Sequence, residues 1–126
     1  VFLLRIFPGL DPALVLPMLP HLKGLVVEAY GAGNFPVSKA LGRSLEPVFA
    51  EAQRLKIPVV VVSQAHRNGV DLSLYESGSL ARSYGAISGG DLTMSAAVVK
   101  LMHGLAHVAP GGLRDYVERS VAGERS

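Results

Sequence analysis

The sequence predicts an α/β fold: a three-layer domain with a four-stranded parallel sheet flanked by helices. Three observations carry that prediction. Four short apolar runs (1–7, 25–30, 57–62 and 85–87) alternate with segments of helical pattern, which is the order that βαβ units produce. Each run empties into a polar or glycine-rich stretch, as strands of open α/β sheets do at the edge where ligands gather. Hydrophobic residues make up 49% of the 126 and charged residues 17%, with a mean hydropathy of +0.35, which suits a sheet covered on both faces. One domain of this length buries about two-thirds of its unfolded surface.

Taken in order, Val1 to Phe7 reads as a strand stopped by Pro8-Gly9. Asp11 is placed to cap a short helix with Pro12 in its first turn, and Leu14, Val15, Met18 and Leu19 share one side of it. The second strand is Leu25-Val26-Val27-Glu28-Ala29-Tyr30, followed by Gly31-Ala32-Gly33-Asn34-Phe35-Pro36. Gly31 and Gly33 admit positive φ and a close approach by another group, and Asn34 tolerates such a conformation while offering a donor and an acceptor. That loop reads either as a ligand-contacting turn or as a tight strand-to-helix connection. Ser38 to Lys56 has a helical pattern that Pro47 divides, with Ser44 capping a helix whose inner face is Leu45, Val48, Phe49, Ala52 and Leu55. Ile57 to Val62 is the clearest strand, with Pro58 at its entrance, where no ladder bond is needed. Leu74 to Tyr84 is expected to be helical, with Leu74, Tyr75, Leu80 and Ala81 available for packing. Gly85-Ala86-Ile87 is a short strand. Thr93 or Asp91 caps a helix through about His107, with Ala97, Val98, Leu101 and Leu105 as its apolar stripe. A terminal helix spans roughly Leu113 to Val121, and the last five residues are expected to fray.

The bulk composition excludes several classes. No apolar run approaches the roughly 20 residues of a membrane-spanning helix. There is no cysteine, hence no disulfide framework and no thiolate chemistry, and no signal peptide is visible. These features favour a cytoplasmic setting. The net charge is only +2 and its cations are dispersed, so nucleic acid is a poor partner despite the high isoelectric point. The chain opens on Val1 and begins with a core strand, as expected of a domain taken from a longer polypeptide.

Parallel strands put all exit loops on one edge, which gathers Asp11, Tyr30, Asn34, Gln64, His66 and Asp91 near one rim. No phosphate loop, dinucleotide fingerprint or nucleophile elbow occurs there, so no catalytic set is self-sufficient. His103 and His107 are four apart on a helix, a metal-ligand spacing, but Gly104 stands between them and a solvated helix end explains them better. No metal and no cofactor is therefore expected. His66 reads as a loop histidine beside Arg67. Glu28, a carboxylate near the end of a buried strand, needs a partner. Tyr75 and Glu76 read as a packed ring beside a solvated carboxylate, or as a helix edge that meets another chain.

Four blocks then carry a family likeness: Phe7-Pro8-Gly9-Leu10, Gly24 through Pro36, Ile57 through Gln64, and Gly89-Gly90-Asp91-Leu92-Thr93 followed by Ala96 to Met102. In that order they resemble the C-terminal domain of bacterial-type L-asparaginases, with the flavour of the cytoplasmic type I enzymes. The resemblance implies hydrolysis of the L-asparagine side-chain amide to aspartate and ammonia. It places the nucleophilic threonine and its activating set in an N-terminal domain absent from this chain. Thr93, the only threonine, then reads as a helix cap. The resemblance assigns Tyr30, Gly33 and Asn34 to substrate binding, and Glu28, Gln64, Ala65, Tyr75 and Glu76 to an intersubunit or effector rim. Family effector sites carry arginine and cysteine where this chain has Glu28 and Ala65, so effector control of that kind is not expected. The segment Ala40 to Pro47 is longer than usual. The implied partners are the chain's own N-terminal domain, a second copy in a homo-oligomer (dimer or tetramer) and a small amide substrate. A stand-alone binding or dimerisation module, or a domain of a tRNA-dependent amidotransferase, is the alternative.

Overall fold

Four parallel strands in the order β1-β2-β3-β4 form the sheet of the computed structural model, which describes residues 1–37, 44–65 and 69–126. The strands are β1 (Phe2–Arg5), β2 (Leu25–Ala29), β3 (Val59–Ser63) and β4 (Ile87–Ser88). Register runs straight across, with Leu4 beside Val27, Val27 beside Val61 and Val61 beside Ser88. Every residue of β2 is buried, the apolar ones as their run predicts and Glu28 with them.

The helices are α1 (Pro12–Val15), continued by a 3-10 turn over Leu16–His21, then α2 (Glu46–Arg54), α3 (Glu76–Ser83), α4 (Met94–His107) and α5 (Leu113–Glu118). Strands that step in one direction with crossovers of one hand place all connecting helices on one face. That face is Leu25, Val27, Ala29, Val59 and Val61, packed against Val15, Leu19, Val48, Phe49, Ala52 and Ala81. Phe35 stacks on Phe49 with ring centroids 4.9 Å apart. After β4 the chain passes to the opposite face, where Val26, Val60, Val62 and Ile87 meet Ala97, Leu101, Leu113, Tyr116 and Val117 from α4 and α5. Side chains alternating along each strand thus supply two separate cores.

Two caps fall where the sequence put them. Asp11 accepts the Ala13 N–H (3.0 Å) and Thr93 the Ala96 N–H (3.1 Å), while Ser44 stands one residue before the N-cap Leu45 and still accepts the Glu46 N–H (3.2 Å). Four expectations need correction. Leu14 is 72% exposed because α1 is a single turn, after which the tighter 3-10 winding turns Leu14 outward and keeps Val15 and Leu19 inside. Leu74 and Tyr75 are exposed too: Tyr75 is the extended cap before α3, so helical periodicity never governed either residue. Leu105, expected in the α4 stripe, is 36% exposed, because the buried face of the helix runs through Ala97, Lys100, Leu101 and Gly104. The chain end does not fray, since Glu124, Arg125 and Ser126 all make hydrogen bonds. The first half of the Ser38–Lys56 pattern, most of the long Ala40–Pro47 segment, and His66 and Arg67 lie outside the described residues.

Candidate functional site

The exit of β2 builds the centre of the rim. Tyr30 and Asn34 pair as an isolated antiparallel bridge, the Tyr30 N–H donating to Asn34 O and the Asn34 N–H to Tyr30 O, both at 2.8 Å. Closing so tight a turn takes Gly31 to φ +45° and Gly33 to φ +117°. A side chain at position 33 would also meet Val70 Cγ1 at 3.0 Å. Asn34 is exposed, and its Oδ1 accepts from Ser77 Oγ at 3.0 Å. With the acceptor occupied, the two N–H groups of the Asn34 amide face outward as donors for an oxygen-bearing ligand. Ser77 stands in the first turn of α3 directly after Tyr75 and Glu76, so those two residues border the same turn. Nothing in the sequence marked Ser77, because a serine at the start of a helix reads as part of its local capping.

A second cluster sits beside it, at the exits of β3 and β4. Glu28, Ser63, Gln64, Ala65, Asp91 and Thr93 line a cavity of about 190 Å³. Ser63 joins the two clusters, its hydroxyl donating to Gly31 O and accepting the Ala65 N–H at 2.9 Å. The amide of Gln64 ties strands together, donating to Ile6 O at 2.6 Å and Glu28 O at 2.9 Å. Residues 70 and 71 bridge the outer loops: Val70 N–H donates to Gly90 O (2.7 Å) and Asp71 N–H to Ala32 O (3.0 Å). The glycine-asparagine turn and the Asp91–Thr93 turn therefore share one edge of the molecule.

Two polar atoms on this edge are buried without a hydrogen bond among the described residues, Glu28 Oε2 and the Tyr30 hydroxyl. Glu28 has an ion-pair neighbour in Arg5 at 3.7 Å, which register sets beside it and which is 63% exposed. Unsatisfied buried groups are rare in native proteins and gather where a ligand or partner completes them. Hydrogen bonds from the Ser126 hydroxyl and N–H hold the Asp91 carboxyl below its ordinary range, so it stays ionised. His103 and His107 stand on the last turns of α4, outside this rim. Their rings are 4.5 Å apart, and His103 Nδ1 is paired with the Tyr116 hydroxyl at 2.7 Å. Among the described residues no group of three or more potential ligands is arranged for a metal ion.

A family model for the glutaminase/asparaginase C-terminal domain matches residues 1–110. The chain belongs to that family. The C-terminal domain is 41% identical over 122 residues to an L-asparaginase of Thermococcus kodakarensis, covering 96% of this chain and 36% of the relative. It superposes on the thermostable L-asparaginase from that organism with a TM-score of 0.87 at 39% identity, covering 98% of this chain and 37% of the other. A structure described as a probable cytoplasmic L-asparaginase from Campylobacter jejuni gives 0.71 at 25% identity, with 94% and 35% covered. A subunit of the glutamyl-tRNA(Gln) amidotransferase of Aeropyrum pernix is 34% identical over 128 residues, covering 100% of this chain and 29% of the relative. The domain thus spans about a third of the length of the relatives it matches. No helix among the described residues is long and apolar enough to cross a membrane.

Proposed function

We propose that this chain is the C-terminal domain of a cytoplasmic L-asparaginase that hydrolyses L-asparagine to L-aspartate and ammonia. The observation that carries the reading is the family match over residues 1–110, which includes the Tyr30–Asn34 turn and the Asp91–Thr93 turn of one rim. In that reading the reactive threonine belongs to an N-terminal domain, and this chain supplies the pocket wall. The outward amide N–H groups of Asn34 suit a carboxylate or amide oxygen of the substrate, while Gly33 keeps the backbone close and Tyr30 contributes a hydroxyl that has no hydrogen-bond partner among the described residues. The exposed pair Tyr75 and Glu76, with Glu28, Gln64 and Ala65, forms the rim that the N-terminal domain or a second copy of a dimer or tetramer covers. The isolated domain is inactive in this reading, because the nucleophilic threonine lies in the N-terminal domain and Thr93 serves as the cap of α4.

Ammonia release from L-asparagine by the native polypeptide tests the reading; no release overturns it. In that protein Asn34→Ala lowers kcat/KM about tenfold or more while the melting temperature stays level. Unchanged kinetics would take Asn34 out of the pocket. One observation favours a second reading, a tRNA-dependent amidotransferase: the relative of that activity aligns with the whole chain. Ammonia release that requires an aminoacyl-tRNA and a second polypeptide would decide for it.

A further inference from the structure

A second cavity lies at the opposite end of the sheet from the rim. Lys23 and Lys56 stand at the entrances of β2 and β3, and between them and the last turns of α3 and α4 opens a groove of about 430 Å³. That is the size of a small-molecule pocket. Its walls are apolar, from Ile57, Pro58, Leu105, Val108 and Leu113, with the ring of Tyr84 on one side. Both charged groups in the lining are cations, and among the described residues neither lysine has an ion pair or a side-chain hydrogen bond.

Both lysines are exposed, and two features set them apart from ordinary surface cations. Lysines often serve to neutralise the carbonyl ends of helices. Here the ends are closed by main chain. Lys56 N–H and Ile57 N–H cap α2 at Gln53 O (3.0 Å) and Ala52 O (2.8 Å), and Gly85 N–H and Ala86 N–H cap α3 at Arg82 O (2.9 Å) and Ala81 O (3.0 Å). The second feature is backbone strain. Lys56 occupies the position after α2 at φ +59°, and it is the only non-glycine residue with positive φ among those described. Glycine is the favoured residue there, and a side chain in that conformation is costly. The fold holds a strained lysine at the mouth of an apolar groove, next to a second lysine whose ammonium is likewise uncommitted.

We propose that this groove is a binding site for a small amphipathic anion, a carboxylate on a compact apolar body, with Lys23 and Lys56 taking the carboxylate and Leu105, Val108 and Leu113 the apolar part. The site is remote from the rim and independent of the asparaginase reading.

Calorimetric titration of the native protein with octanoate, and with octan-1-ol as the uncharged match, tests the proposal. Saturable one-site binding of octanoate is expected, with octan-1-ol at least several-fold weaker. Lys23→Gln and Lys56→Gln each weaken octanoate about fivefold without changing the octan-1-ol affinity. Lys56→Gly separates binding from folding: its melting temperature rises as the strain is relieved, while octanoate affinity drops. Absence of saturable octanoate binding overturns the proposal. So does equal affinity for octan-1-ol, or octanoate affinity that survives all three substitutions.

Discussion

A single hydroxyl decides which way the Asn34 amide presents itself. Ser77 Oγ donates to Asn34 Oδ1 at 3.0 Å and lies 3.5 Å from Gly33 O, so it fixes the amide with its N–H groups outward. Ser77→Ala removes the donor without adding bulk. In the native protein kcat/KM for asparagine is expected to fall about three- to tenfold, with a loss of about 1 kcal/mol in stability. Steady-state kinetics beside a thermal melt checks both, and full activity with lowered stability would leave Ser77 a merely structural residue. The sequence exposed Asn34 through its flanking glycines, yet it could not expose Ser77, whose role depends on α3 docking 43 residues away. Glu28 illustrates the same limit. A carboxylate in an apolar strand announces the need for a partner, but Arg5 becomes that partner only once β1 and β2 are in register.

At the scale of elements, strands and caps were legible because their signals are local: β-branched runs for β2 and β3, and Asp11, Ser44 and Thr93 before their helices. Helix α3 was the hardest, because its start is set by contact and not by pattern. Its first turn presses Gly78 against the Leu72 backbone, where a Cβ would sit 2.2 Å from the carbonyl oxygen. That close approach carries Ser77 to Asn34. Glycine within a helix is otherwise unfavourable by about 1 kcal/mol, so its presence follows from the packing. Gly78→Ala gains that propensity and loses more to the clash, because the obstacle is main chain and cannot rotate away. The expected net loss is about 1–2 kcal/mol in a denaturant melt, with asparagine turnover falling alongside as α3 shifts from the turn. A more stable Gly78→Ala protein would mean that α3 has room to move.

Across the whole molecule, the segment beyond the family match fastens the two ends of the outer core. Lys100, on α4, donates to Arg119 O and Glu124 and lies 5.6 Å from the centre of the Tyr116 ring. Arg125 reaches Ser88 O at 2.9 Å, and Ser126 reaches the carboxylate of Asp91 on the rim. A tail with so many ties links α4 to the β4 exit loop, and one carboxylate is its anchor. The hydrogen bond from Lys100, followed by the N–H groups of Ala122, of Glu124 itself and of Val121, lowers the Glu124 carboxyl from 4.5 to about 2. A carboxyl whose folded value lies below its unfolded one stabilises the fold fully above the unfolded value. That contribution fades as pH falls from 4.5 through about 2. Glu124→Gln keeps the shape of the side chain and removes the charge. Its melting temperature is therefore expected to lie below that of the unmodified protein at neutral pH, with a gap that is constant above 4.5 and narrows towards pH 2. Melting curves of both proteins across that range decide the matter: a gap independent of pH would mean that the Lys100–Glu124 contact holds the tail through shape alone.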